Sequence, residues 1–179
     1  MQIVRKLLTK PIWMWERFWA QQALTSPTMR PISINVARPT IVIQTTPKTF
    51  NQALWCAASL MIHTRKSFGL TFVLDARTWP QELSAQAKKL FPGVSLRTTY
   101  ELLKEIPTDA PCLIAYAQAH PLGRKLTTIM VTSKDQPIIF SDDDVLAFAP
   151  LEEIVAWGAN PMQALILTEE KTGSDPLVH

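Results

Sequence analysis

The sequence predicts an α+β domain in which helices come first along the chain and strands come last. At residues 53–62, 81–90 and 98–105 the apolar residues follow helical spacing, and Pro92 and Gly93 separate the last two of these segments. From residue 111 onward the pattern changes to short apolar runs separated by polar turns, which is typical of an antiparallel sheet. With 179 residues, 47% of them hydrophobic, the chain is large enough for one domain with a sizeable core.

The first half of this domain is predicted to contain two extended segments and three helices. Apolar runs at residues 40–44 and 70–74 favour the extended segments. The helices are expected from apolar spacing and from the prolines that bound it. They cover residues 53–62, 81–90 and 98–105.

The second half is predicted to be mostly sheet, with one short helix that follows Pro150 and ends at Gly158. A polar turn at residues 133–136 favours a hairpin between the two strands that flank it. The expected strands cover residues 112–116, 126–132, 137–140 and 162–167.

The N-terminal residues differ in composition from the rest, and we predict an arm at 1–44, a domain at 45–168 and a polar tail at 169–179. If residues 12–22 are helical, the large apolar side chains of the arm share one face. That face requires a cover, which could be its own domain, a protein partner or a membrane interface. The side chains predicted to bind there are Trp13, Trp15, Phe18 and Trp19.

Charge and composition exclude several classes of function. The net charge of +3 is too small to indicate a nucleic-acid partner, although the first 74 residues carry an excess of basic side chains. No apolar run is long enough for a membrane span, and an export signal is not evident, so a cytoplasmic protein, peripheral to a membrane if the arm binds one, is expected. No zinc spacing, phosphate loop or dinucleotide fingerprint is present, so we predict neither a metal nor a cofactor.

The stretch Gln52-Ala-Leu-Trp-Cys56-Ala-Ala-Ser resembles the segment around the nucleophile of papain-like cysteine peptidases, and especially of the bacteriocin-processing (double-glycine leader) peptidases. A helix N-terminus lowers the pKa of a thiol, and a nearby glutamine can donate a hydrogen bond to a developing oxyanion. The resemblance covers residues 45–167. It implies a papain-like fold, with the cysteine helix packed on an antiparallel sheet, and a bacterial or phage origin.

The resemblance also implies roles for individual residues. Cys56 takes the position of the nucleophile, Gln52 that of the oxyanion donor, and Asp142 or Asp143 that of the residue that orients the histidine. The histidine itself is replaced, because Thr127 or Thr128 stands at its position and a hydroxyl cannot accept the thiol proton at neutral pH. The nearest substitute along the chain is His120, in the segment before those threonines.

Three functions follow as hypotheses. The first is a catalytically degenerate, peptidase-like domain that binds a peptide or protein partner in the former cleft. The second is an active cysteine peptidase or acyl-transfer enzyme that uses Cys56 with His120 and Asp142 or Asp143. The third is a structural subunit of a larger assembly, held there by the arm.

Overall fold

A computed structural model of the chain describes residues 30–35, 39–107 and 110–161. Within these ranges the chain forms four strands and six helices. The strands are β1 (Thr40–Thr45), β2 (Gly69–Leu74), β3 (Ser95–Thr98) and β4 (Ile138–Asp142). The helices are α1 (Phe50–His63), α2 (Gln81–Leu90), α3 (Thr99–Leu103), α4 (Pro111–Ala119), α5 (Pro121–Thr132) and α6 (Glu152–Ala159).

All four strands are parallel and form one sheet in the order β3-β2-β1-β4. The central strand is β1, where Val42 is paired with Thr71 of β2 on one side and with Phe140 of β4 on the other. The fold is therefore α/β, and the expectation of a papain-like α+β fold with an antiparallel sheet is wrong. Parallel neighbours require long crossover connections, and the helices between the strands supply them.

The prediction of strands at residues 112–116 and 126–132 is wrong, because these residues lie in α4 and α5. Pro111 and Pro121 open the two helices, where the fixed φ of proline suits a helix and its missing N–H would be unpaired in any case. Periodicity alone does not distinguish short apolar runs in helices from buried strands. The expected hairpin is therefore absent, and β4 pairs with β1 instead.

The elements with a clear helical or extended pattern are confirmed. Residues 40–44, 53–62 and 70–74 lie in β1, α1 and β2, and residues 81–90 form α2. The short β3 was not predicted, because its sequence Ser-Leu-Arg-Thr is only four residues long and half polar. The predicted helix at residues 12–22 and strand at residues 162–167 lie outside the described residues.

The face of the sheet that carries α1, α2 and α6 holds most of the buried apolar side chains. Ile41 and Ile43 of β1 cluster there with the rings of Phe50, Phe72 and Phe91. The Phe72 ring lies edge-on to both others, with centroids 5.6 Å from Phe50 and 6.0 Å from Phe91. Burial of these large apolar surfaces is the main stabilising contribution on this face.

The opposite face, which carries α3 and α5, has a much smaller apolar core. Its fully buried apolar residues are Val42, Val73 and Leu102, and Val131 of α5 packs against them. The two helices α4 and α5 pack closely beside this core, and Gly123 makes that approach possible. A Cβ atom at Gly123 would overlap the carbonyl group of Tyr116 and lie 2.7 Å from the backbone nitrogen of Ala117.

We predict that Gly123→Ala destabilises the protein, by about 1–3 kcal/mol, because the backbone of α4 has to move away from the new methyl group. This sign is the opposite of the usual effect, since alanine normally favours a helix over glycine by about 1 kcal/mol. Urea denaturation measures the change. Gln118→Ala, at an exposed position of α4, is the control and should leave stability nearly unchanged; a stabilised Gly123→Ala protein would contradict the close approach.

Candidate functional site

The order of the strands reverses at β1, because the chain continues from β1 to β2 and β3 on one side and later returns to β4 on the other side. It leaves β1 through α1, which packs on the face of Ile41 and Ile43, and it reaches β4 through α5, which packs on the face of Val42. The connection that leaves β1 and the one that leads into β4 therefore pack on opposite faces of the sheet, and the strand order reverses between these two strands. Ligands of open parallel sheets bind in the crevice at such a switch point.

A cavity of about 270 Å³ opens at this switch point. Its walls come from the carboxyl ends of β1, β2 and β4, from the turn before α1 and from the first turns of α5. The side chains are mostly hydroxyls and carboxylates. The lining residues are Gln44, Thr45, Thr46, Thr49, Asp75, Pro121, Lys125, Asp142, Asp143 and Asp144.

Three threonine hydroxyls join the turn before α1 to the end of β4. The Thr45 hydroxyl donates to Asp143 Oδ2 at 2.8 Å, and Thr49 Oγ1 lies 3.2 Å from Thr45 Oγ1 and 2.9 Å from Thr46 Oγ1. Because Thr49 is used in this way, its side chain does not cap the backbone of α1. The N-terminus of α1, with its partial positive charge, therefore borders the cavity without a side-chain cap.

The carboxylates of the cavity exceed the cations that pair with them. Lys125 forms an ion pair with Asp142, and Arg124 Nε lies 3.3 Å from Asp75 Oδ2. The second pair is close enough for electrostatic attraction but is not aligned as a hydrogen bond, since Arg124 Nε has no hydrogen-bond partner. Among the described residues, neither Asp143 nor Asp144 has a basic partner. The cavity therefore has an excess of negative charge.

Gln44 adds an unpaired acceptor to the cavity wall. This residue is paired in register with Val73 and Asp142, so it lies in the centre of the sheet edge. Its Oε1 atom is buried and has no hydrogen-bond partner in the described part of the chain. Buried acceptors are normally paired with a protein group or a water molecule, so this atom favours a donor within the cavity.

Cys56 lies beneath the cavity, in the second turn of α1. Its thiol donates to the backbone carbonyl oxygen of Asp142 at 3.3 Å and lies 3.6 Å from Ser141 Oγ. Burial raises the pKa of the Cys56 thiol from 9.0 to about 11, and the carboxylates of Asp143 and Asp144 add to this rise, whereas the Ser141 hydrogen bond opposes it. The thiol is therefore protonated at neutral pH, which disfavours a nucleophilic role.

The structure brings Cys56, Asp142 and Asp143 together but places His120 elsewhere. His120 lies between α4 and α5, where its Nδ1 atom accepts a hydrogen bond from the backbone N–H of Leu122 at 3.1 Å. Its ring stacks on Tyr116 with centroids 5.6 Å apart. These contacts give the imidazole the role of a helix cap, and in the described part of the chain no histidine is hydrogen-bonded to the Cys56 sulfur.

Of the other predicted site residues, Gln52 lies near these carboxylates and the two threonines do not. Gln52 is exposed and lines a second cavity, of about 340 Å³, together with Trp55, Leu146, Asp143 and Asp144. Thr127 and Thr128, expected at the start of a strand, are buried on α5, and their hydroxyls have no hydrogen-bond partner among the described residues. The four aromatic residues of the arm, which are Trp13, Trp15, Phe18 and Trp19, lie outside the described residues.

Sequence reasoning missed the residues that build most of the cavity. Thr45, Thr46 and Thr49 connect β1 to α1, and Asp75 directly follows β2. Polar residues at the carboxyl ends of neighbouring strands are the signal of a parallel-sheet site. That signal can be recognised only when the strands are known to be parallel, because neighbouring antiparallel strands would place their carboxyl ends at opposite edges of the sheet.

Neither the protein-family models nor the curated proteins that were searched match the chain. The described residues hold no group of three or more histidine, cysteine or acidic side chains arranged to bind a metal ion. Within the same ranges, every helix is too short or too polar to cross a lipid bilayer.

We predict that the two cysteines differ strongly in reactivity. Cys112 is exposed and Cys56 is buried, so Ellman's reagent should modify Cys112 rapidly and Cys56 only after unfolding. Cys112→Ser should abolish the fast phase, and His120→Ala should leave the slow phase unchanged. Fast modification of Cys56 that is lost in His120→Ala would instead support the cysteine-hydrolase hypothesis.

We also predict that stability falls at alkaline pH because of Cys56. The unfolded chain releases this proton near pH 9 and the native protein near pH 11, so the free energy of unfolding decreases between these values, by roughly 2–3 kcal/mol. Urea titrations at pH 8 to 11 measure the decrease in the wild type and in Cys56→Ala. The variant should lose this part of the pH dependence, whereas Cys112→Ser should retain it; identical profiles in all three proteins would contradict the raised pKa.

Proposed function

We propose that this chain is a binding domain whose ligand occupies the crevice between the carboxyl ends of β1 and β4. The observation that carries this proposal is the cavity of about 270 Å³ between β1 and β4, where the strand order reverses. General experience with open parallel sheets supports this location, because loops there can present side chains while the strands keep them in place.

The charge of the cavity favours a small molecule with a positively charged group. Asp143 and Asp144 have no basic partner among the described residues, and the buried Oε1 atom of Gln44 requires a donor. An ammonium or guanidinium group can donate to all three. The N-terminus of α1, which has no side-chain cap, borders the same cavity and suits the negative end of the same molecule. A small zwitterionic amine combines both features.

The surroundings of Cys56 support binding rather than covalent chemistry. Its thiol is buried and is hydrogen-bonded to the carbonyl of Asp142, and its pKa is raised by burial to about 11. A nucleophile needs an accessible thiolate or an adjacent base. The buried, protonated thiol instead packs α1 against the end of β4, where the carboxylates of the crevice begin.

A second candidate is the binding of a peptide or protein partner by a degenerate peptidase-like domain, as the resemblance around Cys56 implies. The observation that favours partner binding is an exposed apolar surface beside Gln52, where Trp55 and Leu146 line the second cavity and the nearby Phe148 is 86% exposed. The antiparallel sheet that belongs to the resemblance is wrong. This candidate therefore depends on the exposed surface and not on the fold, and a role as a subunit of a larger assembly would use the same surface.

The ligand proposal is tested by titrating ¹⁵N-labelled protein with arginine, succinate and ribose, of which only arginine carries cationic groups. We expect arginine to shift the amide signals of residues 45–49 and 142–145, and succinate and ribose to have little effect at the same concentration. Asp144→Asn should weaken the binding of arginine at least tenfold, because a charged hydrogen bond contributes about 1.5–3 kcal/mol. Asp135→Asn, an exposed aspartate between α5 and β4, is the matched control. Shifts caused by succinate alone, or no shift in the crevice with any of the three, would overturn the proposal.

A further inference from the structure

Helix α5 has four large apolar side chains on the outside. Leu122, Leu126, Ile129 and Met130 are 57%, 43%, 36% and 49% exposed. Leu126 follows Leu122 by four residues, and Ile129 and Met130 follow Leu126 by three and four, so the four side chains share one face of the helix, which we call the outer stripe. Tyr116 of α4 is also exposed. A surface helix normally directs such side chains towards the core, so the outer stripe indicates a second packing partner.

The buried side of α5 makes this reversal clear. Thr127 and Thr128 are fully buried there, and neither hydroxyl has a hydrogen-bond partner. The helix therefore buries two unsatisfied polar groups and leaves four large apolar side chains in water. Both features oppose stability. Contact with the sheet alone does not explain why the apolar residues are at these positions, whereas a cover over the outer stripe does.

We propose that the outer stripe is covered by residues 13–19 of the same chain, which precede the described residues. This segment contains three tryptophans, a phenylalanine and a methionine in seven residues. Aromatic rings pack favourably on one another and on the thioether of methionine. The outer stripe ends at Met130, and Tyr116 lies on the adjacent helix, so both kinds of contact are available.

The intervening chain begins on the α1 face, where Ile32 packs in the larger core, so it has to pass an edge of the sheet to reach the outer stripe. The described residues begin at Arg30, and Ile32 is anchored by a hydrogen bond from its N–H to the carbonyl of Leu90 at 2.8 Å. Residues 20–29 therefore form a ten-residue connection, which reaches at most about 33–36 Å when extended. Helix α5, with 12 residues, is about 18 Å long. A tethered segment has an effective concentration in the millimolar range, which favours it over a second copy of the chain.

Charge supports the same arrangement. Residues 1–29 contain four basic side chains and one acidic side chain. The outer stripe begins at Leu122, next to Pro121, which lines the crevice together with Asp143 and Asp144. Basic residues that flank the aromatic run would thus lie near these two carboxylates, which have no basic partner among the described residues. Such attraction orients the segment and should weaken in salt, whereas the apolar contact should persist.

The experiment attaches a nitroxide to Cys112, which is exposed at the start of α4, whereas Cys56 is buried. Helix α4 has nine residues, so the label lies within about 14 Å of the neighbouring turns along the helix axis. We expect the indole N–H signals of Trp13, Trp15 and Trp19 to be broadened in the full chain and restored when ascorbate reduces the nitroxide.

Matched variants and a mixed sample decide between the possible occupants. Leu126→Glu should abolish the broadening. Ile62→Glu, at an exposed apolar position of α1, is the control and should retain it. Both sites are exposed, and the dispersion of the amide spectrum verifies that each variant is folded. A mixture of nitroxide-labelled ¹⁴N protein with unlabelled ¹⁵N protein should show no broadening. Broadening in that mixture assigns the outer stripe to a second copy. The proposal is also overturned if the single chain shows no broadening. This conclusion holds whether or not the segment binds to added vesicles of anionic lipid.

Discussion

Parallel hydrogen bonding on both sides of β1 is the constraint on which the rest of this structure depends. A strand that is paired in parallel with β2 and with β4 can be connected to them only by crossovers, and a right-handed crossover to the left edge and one to the right edge must use opposite faces. Helices α1 and α5 are therefore on different faces. The start of α1 and the start of α5 flank the end of β1 from these two faces, and the space between them becomes the crevice.

The two faces of the sheet are unequal, and this inequality explains the character of the site. The face of α1 is closed by large apolar side chains, so the Cys56 thiol beside Ser141 is dry and protonated. The face of α5 has only three fully buried apolar residues in its core. Polar groups that lack partners, among them Gln44 Oε1 and Arg124 Nε, are found there. A weak core on one side thus accompanies a polar crevice and a helix whose apolar side chains point outward.

The candidate site shows which of its features can be predicted from residue types alone. The sequence drew attention to Cys56, Asp142 and Asp143, and these residues do lie together. It could not assign their roles, because the pKa of a thiol depends on burial and on carboxylates far away along the chain. His120 illustrates the same difficulty, since whether an imidazole acts as a base or as a helix cap depends on which groups the fold brings to it.

Local pattern and stereochemistry were sufficient to determine β1, β2, α1, α2 and the short α6, because apolar spacing and proline positions act within a few residues. The same information was ambiguous for residues 111–132, where short apolar runs suit a buried strand as well as a helix. Only the tertiary structure decided between them, since pairing β4 with β1 requires a long crossover that a hairpin cannot supply. Strand direction then determined which polar residues meet at one edge, and that is a property of hydrogen bonding between distant segments rather than of any one of them.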